Sequence, residues 1–270
     1  METNFAGMAY AYTTADIVLD PVLLIENAKM KMNTLGGRYI RTFELFNRSA
    51  RVDLTQAYHS GDWEGLLDGT PASITRDGFS DTFVRVALIL YGAPPLRDKE
   101  FGGYRSQIKR ETIVGVGLAI RLPTGEYMED KLINLGANRF AFRPQIGSTN
   151  SFGKWTMEAT TQVAFYSAND DFASGKKLEQ APLSITHGNL IYDFKQGCWA
   201  ALSAGFDYGG ERTIDGVKKN DNKHDIAWAL SFAYPINRNV GFKIVYIGSR
   251  TQESTGLDTE TVSTALAVYW

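Results

Sequence analysis

The chain has little of what marks most other architectures. Cys198 is its only cysteine, so no internal disulfide can form. Prolines number 8 in 270 residues, and no Pro- or Ser-rich linker or charge run divides the chain, so 1–270 reads as a single domain. No apolar run reaches about 18 residues, which excludes a helical membrane span. That exclusion does not extend to a β-barrel, whose strands carry apolar residues only at every second position. Neither sign of charge dominates: 28 Lys and Arg against 30 Asp and Glu give −2, and nothing points to nucleic acid. Three histidines and one cysteine without ligand spacing argue against zinc. Gly115-Val116-Gly117 lies in mid-strand with no helix behind it, so it is no nucleotide loop. No cofactor is expected. No signal peptide stands before the first strand-like segment; an exported barrel would have had it removed or omitted.

What the chain does have is glycine (26 residues), aromatics (12 %) and sustained alternation. In the last stretch Val262, Thr264, Leu266, Val268 and Trp270 fall on one side, with Thr261, Ser263, Ala265, Ala267 and Tyr269 on the other. A bare apolar terminal strand presents an open pairing edge. Pairing with the first strand, Asn4 to Thr14, removes that edge and closes a barrel. The same zigzag recurs at 36–46, 50–60, 79–91, 111–122, 139–148, 154–167, 183–194, 198–208, 224–234 and 240–249. The fold expected is an all-β, closed antiparallel transmembrane β-barrel of about twelve strands.

Connections alternate long and short, as in outer-membrane barrels, with Gly92–Arg110 the exception. Both termini fall on the short-turn, periplasmic side. Eleven residues at about 3.3 Å, tilted about 45°, rise roughly 25 Å, the height of a lipid-facing band. Aromatics such as Tyr12, Tyr91, Phe194, Tyr208, Tyr234 and Trp270 gather near strand ends, as girdles do. The long connections are read as follows. ENAKMKMN (26–33) is a short helix or loop over the outer mouth, 61–78 is Gly-rich loop, and 168–181 is polar loop. Pro94-Pro95 and the residues after it form a short amphipathic helix, and Asp215-Gly216 is a hairpin turn. Arg41, on the apolar side of its strand, marks either a bulge or a snorkelling side chain.

The second face is ionic. Arg51, Asp53, Asp81, Arg85, Arg121, Arg139, Arg143 and Glu158 belong to it. A soluble sandwich would spread these over its outer surface; a wide closed barrel can enclose them with water. They are the candidate lumen and selectivity residues, with a paired network that fills the lumen as the alternative. Phe83, Tyr166, His187 and Trp199 share that face and are candidates for contact with a planar apolar solute. Catalysis is not expected: His187 and Asn189 lack a serine two residues before the histidine, where Ile185 stands.

Several stretches carry a family resemblance. FELFNRSARVDLTQAY, GFSDTFVRVALILYGAPPL, EFGGYR, ETIVGVGLAIRLPTGEYMEDKLINLGANRFAFRPQIG, GKWTMEATTQVAFYSANDDF and FDYGGERTIDG follow a family's order and spacing. The chain resembles the proteobacterial family labelled "Putative MetA-pathway of phenol degradation". That resemblance implies an outer-membrane transporter-like barrel, located in the bacterial outer membrane. The function expected is passive uptake of small hydrophobic or aromatic compounds, the alternative a structural or surface-interaction barrel. The expected partners are outer-membrane lipid and lipopolysaccharide, the barrel assembly machinery through the C-terminal strand, and a small apolar or aromatic solute. The barrel is expected to be a monomer.

Overall fold

The structure is a computed structural model that describes residues 2–18, 25–95 and 110–270. The described residues form β1 (Asn4–Val18), β2 (Ile25–Leu45), β3 (Arg48–Leu67), β4 (Thr70–Phe79), β5 (Thr82–Tyr91), β6 (Arg110–Leu122), β7 (Ala141–Phe152) and β8 (Trp155–Tyr166). There follow β9 (Asn169–Phe172), β10 (Lys176–Gln180), β11 (Leu183–Lys195), β12 (Cys198–Gly209), β13 (Arg212–Ile214), β14 (Val217–Lys218), β15 (Lys223–Pro235), β16 (Val240–Thr251) and β17 (Gly256–Tyr269). Thirteen of them make one sheet, in which β1 pairs with both β2 and β17 and the pairing of β2 with β3 closes the ring. Because β4 and β5 lie end to end along β3, the wall has twelve positions. Closure removes every edge that the terminal strands would otherwise expose.

Alternation decides which face meets lipid. Met8, Tyr10, Leu54, Val86, Leu118, Met157, Leu202, Leu230, Val262 and Leu266 point outward and are exposed, a density of bare apolar side chains that only a membrane can cover. Trp155, Tyr192, Phe194 and Tyr234 form part of a lower outer girdle, where Lys154 stacks on Tyr192 and Lys195 on Tyr234. His224 packs edge to face on the near-parallel rings of Phe206 and Tyr208 at the opposite end. A groove of about 610 Å³ between Trp155, Leu190, Leu202, Leu230 and Tyr246 lies on this outer wall.

Three expectations change, and the alternatives for Arg41 are decided. ENAKMKMN is strand, not helix or loop: Lys29, Lys31 and Asn33 alternate with Met30 and Met32 inside β2, which pairs with β1 and β3. Residues 61–78 are likewise strand, the ends of β3 and β4 joined by a turn at Asp68-Gly69 with φ of +50° and +71°. Left-handed φ at both central residues matches the twist of a hairpin. Glycine disguised this segment. Gly61 lies under the Trp63 ring, where a Cβ would collide, and Gly65 lies close against the backbone of Glu26 and Ala28, where a Cβ would be crowded. The 168–181 connection contains β9 and β10, which join β13 and β14 in a small four-stranded sheet. Arg41 marks no bulge: β2 runs in unbroken register past it, opposite Asn4 and Val52, and its side chain is exposed on the outer rim. The Asp215-Gly216 turn does form, with φ of +49° and +78°. The helix expected after Pro94-Pro95 lies outside the described residues.

Candidate functional site

The lumen has two unlike walls. Cross-strand register sorts the inward residues of β2, β3, β5, β6, β7 and β8 into rows. The first holds Thr42, Arg51, Ala87, Gly117, Gln145 and Gln162. In the next stand Ile40, Asp53, Arg85, Ala119 and Arg143. A third holds Arg38, Thr55, Phe83, Arg121, Ala141 and Tyr166. Arginine therefore recurs in every row, a cationic track on one side. Facing it, β12, β15, β17 and β1 present many small residues: Ala201, Ser203, Gly205, Ala227, Ala229, Ser263, Ala265, Ala9 and Ala11. Lys243, Val245 and Ile247 of β16 interrupt that wall, as do Trp199 and Asp207 on β12 and Asp225 on β15.

Asp53 holds the lower part of the track. It is 3 % exposed and accepts from Arg85 Nε and Nη2 at 3.0 Å each, and from Arg38 Nη2 at 2.5 Å. Arg51 Nε stands 3.3 Å away. Three guanidiniums on one carboxylate leave a net positive cluster. Arg38 is absent from the sequence-derived candidates although it shares the face of Ile40 and Thr42; the alternation of β2 could have supplied it. Glu158 lies on β8 and accepts from Asn189 Nδ2 at 2.9 Å. His187 sits opposite Thr160 and Gly205, and Trp199 opposite Asp193 and Ala233 near the short turns.

Asp81 and Arg139 stand apart from the regular strands. The sheet breaks at Ser80-Asp81, where Ser80 donates its N–H to the Ala57 carbonyl. Asp81, 4 % exposed, accepts from the backbone N–H of Gly125 and of Ala137 at 3.0 Å each and lies 3.5 Å from Arg121 Nε. It thus staples both ends of the connection 123–140. Gly125 and Gly136 touch backbone to backbone, leaving no room for a side chain on either. Asn134 bonds Met128 and Lys131, and Asn169 bonds the Tyr127 hydroxyl. The connection packs on the inward side of β4, with Glu126 beside Gly78 and Arg76 Nε donating to the Ile133 carbonyl.

Arg139 was expected in a strand, but β7 begins at Ala141 because Asn138, at φ +48°, turns the chain. Its guanidinium stacks 4.8 Å from the Tyr166 ring centroid and donates to Gln180 Oε1. Burial, and then the repulsion of Arg121, pull the Arg139 guanidinium down to about 10, so it stays charged at neutral pH.

A lipid-facing, closed, twelve-position barrel with an ionic interior defines the class: a bacterial outer-membrane β-barrel of channel-like form. Known proteins agree. A family model described as "Putative MetA-pathway of phenol degradation" matches residues 16–264, and the chain belongs to that family. Among solved structures, an outer membrane channel from Pseudomonas putida F1 is similar over 100 % of this chain and 96 % of its own, with TM-score 0.80 and 18 % identity. The translocator domain of the autotransporter NalP from Neisseria meningitidis follows at TM-score 0.53 and 10 % identity, covering 99 % of this chain and 88 % of that one. The transport unit of the autotransporter AIDA-I from Escherichia coli gives 0.52 at 10 % identity, over 97 % and 89 %. At these identities the likeness is one of fold. No curated protein matches the chain.

Proposed function

We propose that this barrel is a passive outer-membrane channel for small hydrophobic or aromatic molecules, with both termini in the periplasm. The observation that carries the reading is the make-up of the inner surface: a cationic track bearing Phe83 and Tyr166 beside a wall rich in small side chains. Phe83, Tyr166 and Trp199 offer ring faces on the inner surface. The family's description, which refers to phenol degradation, points to aromatic compounds. No energy source is required, since solutes follow their own gradient. The solutes tested should include toluene and phenol. Proteoliposomes whose outer leaflet is lipopolysaccharide, a barrier to apolar solutes, are expected to take up both faster with the full chain than without it, and equal rates would refute transport.

The second reading, a structural barrel with no transport role, draws on the stapled connection 123–140, which packs inward at one mouth. It predicts proteoliposomes that remain sealed to every solute tried.

A further inference from the structure

Among the described residues, four inward arginines, Arg76 of β4 included, keep buried unpartnered donors, and three of the four gather around Tyr166 and Phe83. Arg121 Nε and Nη2, Arg139 Nε and Nη1, and Arg143 Nε are buried without a hydrogen-bond partner. Arg139 as a residue is 7 % exposed. Unpaired buried donors are costly, more so on a charged group. The chain gathers these groups deliberately in sequence terms. Ala141 and Ala164, both fully buried, and Ala119 flank the arginines, and any larger inward side chain there would fill the space that the guanidiniums use. Arg121 lies 6.0 Å and Arg139 4.8 Å from the Tyr166 centroid, while Arg143 lies 5.3 Å from that of Phe83. Negative charge close by is sparse. Asp81 faces Arg121 but already accepts two backbone N–H groups. Asp207, on β12, lies within electrostatic reach of Arg143 without a hydrogen bond to it.

From this juxtaposition we infer that Arg121, Arg139 and Arg143, with the ring faces of Tyr166 and Phe83, form a binding site for an organic anion: a small aromatic carboxylate. A guanidinium fork matches a planar carboxylate and can satisfy it with two parallel N–H bonds. Three guanidiniums against the carboxylates of Asp81 and Asp207 leave an excess of one positive charge, which a neutral phenol would not answer and a monoanion would. The aromatic surfaces take the body of such a solute, by stacking against ring or guanidinium. The inference deepens the channel reading and rests on it for where the solute goes, but not for whether it binds.

The test uses the full chain in detergent micelles, titrated calorimetrically with benzoate and with benzyl alcohol, a ring of like size without charge. Benzoate is expected to bind at least tenfold more tightly. Arg143→Gln should weaken benzoate at least tenfold and shift benzyl alcohol less than twofold, while Arg143→Lys restores part of the loss. Equal affinities for the two solutes, no measurable benzoate binding, or indifference of benzoate to Arg143→Gln would each overturn the site. The wild-type comparison stands without any variant, so a misfolded Arg143→Gln does not weaken the test. Toluene uptake by proteoliposomes separates the two proposals. Uptake without benzoate preference removes only the anion site, and benzoate preference without uptake removes only the channel.

Discussion

The two walls of the lumen are built from the same zigzag yet differ in kind. On β2 through β7 the inward positions alternate arginine with alanine or glycine along the cross-strand rows, as in Arg85, Ala119 and Arg143. On β12, β15, β17 and β1 many inward positions are small, as in Gly205, Ala227, Ser203 and Ala229. A barrel of this girth cannot carry long charged side chains on every wall and also keep a passage. Most of the arginines are therefore concentrated on one side, where Asp53 offsets part of their charge and others stack on rings, while many inward positions of β12, β15, β17 and β1 stay small. What decides the interior is how large side chains are partitioned between walls, and not the number of charges alone.

Changes that break the comparison most should be those on the ionic wall. Asp81→Ala removes the partner of Arg121 and frees both ends of the connection 123–140. It is expected to cost about 3–5 kcal/mol, as loss of one member of a buried pair does. Urea unfolding followed by heat-modifiable gel mobility would read it, with faster proteolysis within 123–140. Asp53→Asn ranks next. Three guanidiniums lose their shared carboxylate, and a loss of roughly 1–3 kcal/mol is expected, with a reversal potential shifted toward chloride in single-channel recordings. On the opposite wall the effect should be on flux and not on folding. Ala229→Leu adds bulk to a small inward position between Ser203 and Ile247, so conductance should fall several-fold while the unfolding midpoint moves little. Smallest of all, Lys218→Ala removes an exposed pair with Glu211 at the barrel end. It is expected to change stability by less than about 0.5 kcal/mol.

Much of this fold was legible in the chain because lipid on one face and a hydrated lumen on the other impose a period of two on every strand. Where the reading failed, a local cause hid the period. Met30 and Met32 line the inner side of β2, so apolar residues point inward there and the usual sign of the alternation is reversed. Gly61 and Gly65 replace inward side chains because Trp63 and the neighbouring strand occupy that space. The Asp-Gly pair at 68–69 carries the same hairpin signal as that at 215–216, but a Gly-rich context masked it. Parity alone grouped the ionic candidates on one face, without Arg38. Their division of labour was not, since the roles of Asp81 as staple and of Arg139 as a loop residue depend on contacts with 123–140 and Gln180 that no spacing encodes.

The central claim is that neighbouring residues on one strand face lipid and an enclosed aqueous lumen. Spin labels at Val86→Cys and Ala87→Cys on β5, in a Cys198→Ser background and reconstituted in bilayers, test it directly. The account predicts that the label at 86 collides mainly with oxygen dissolved in lipid, and the label at 87 mainly with a water-soluble nickel chelate. Equal accessibility of both labels to the same quencher would contradict it.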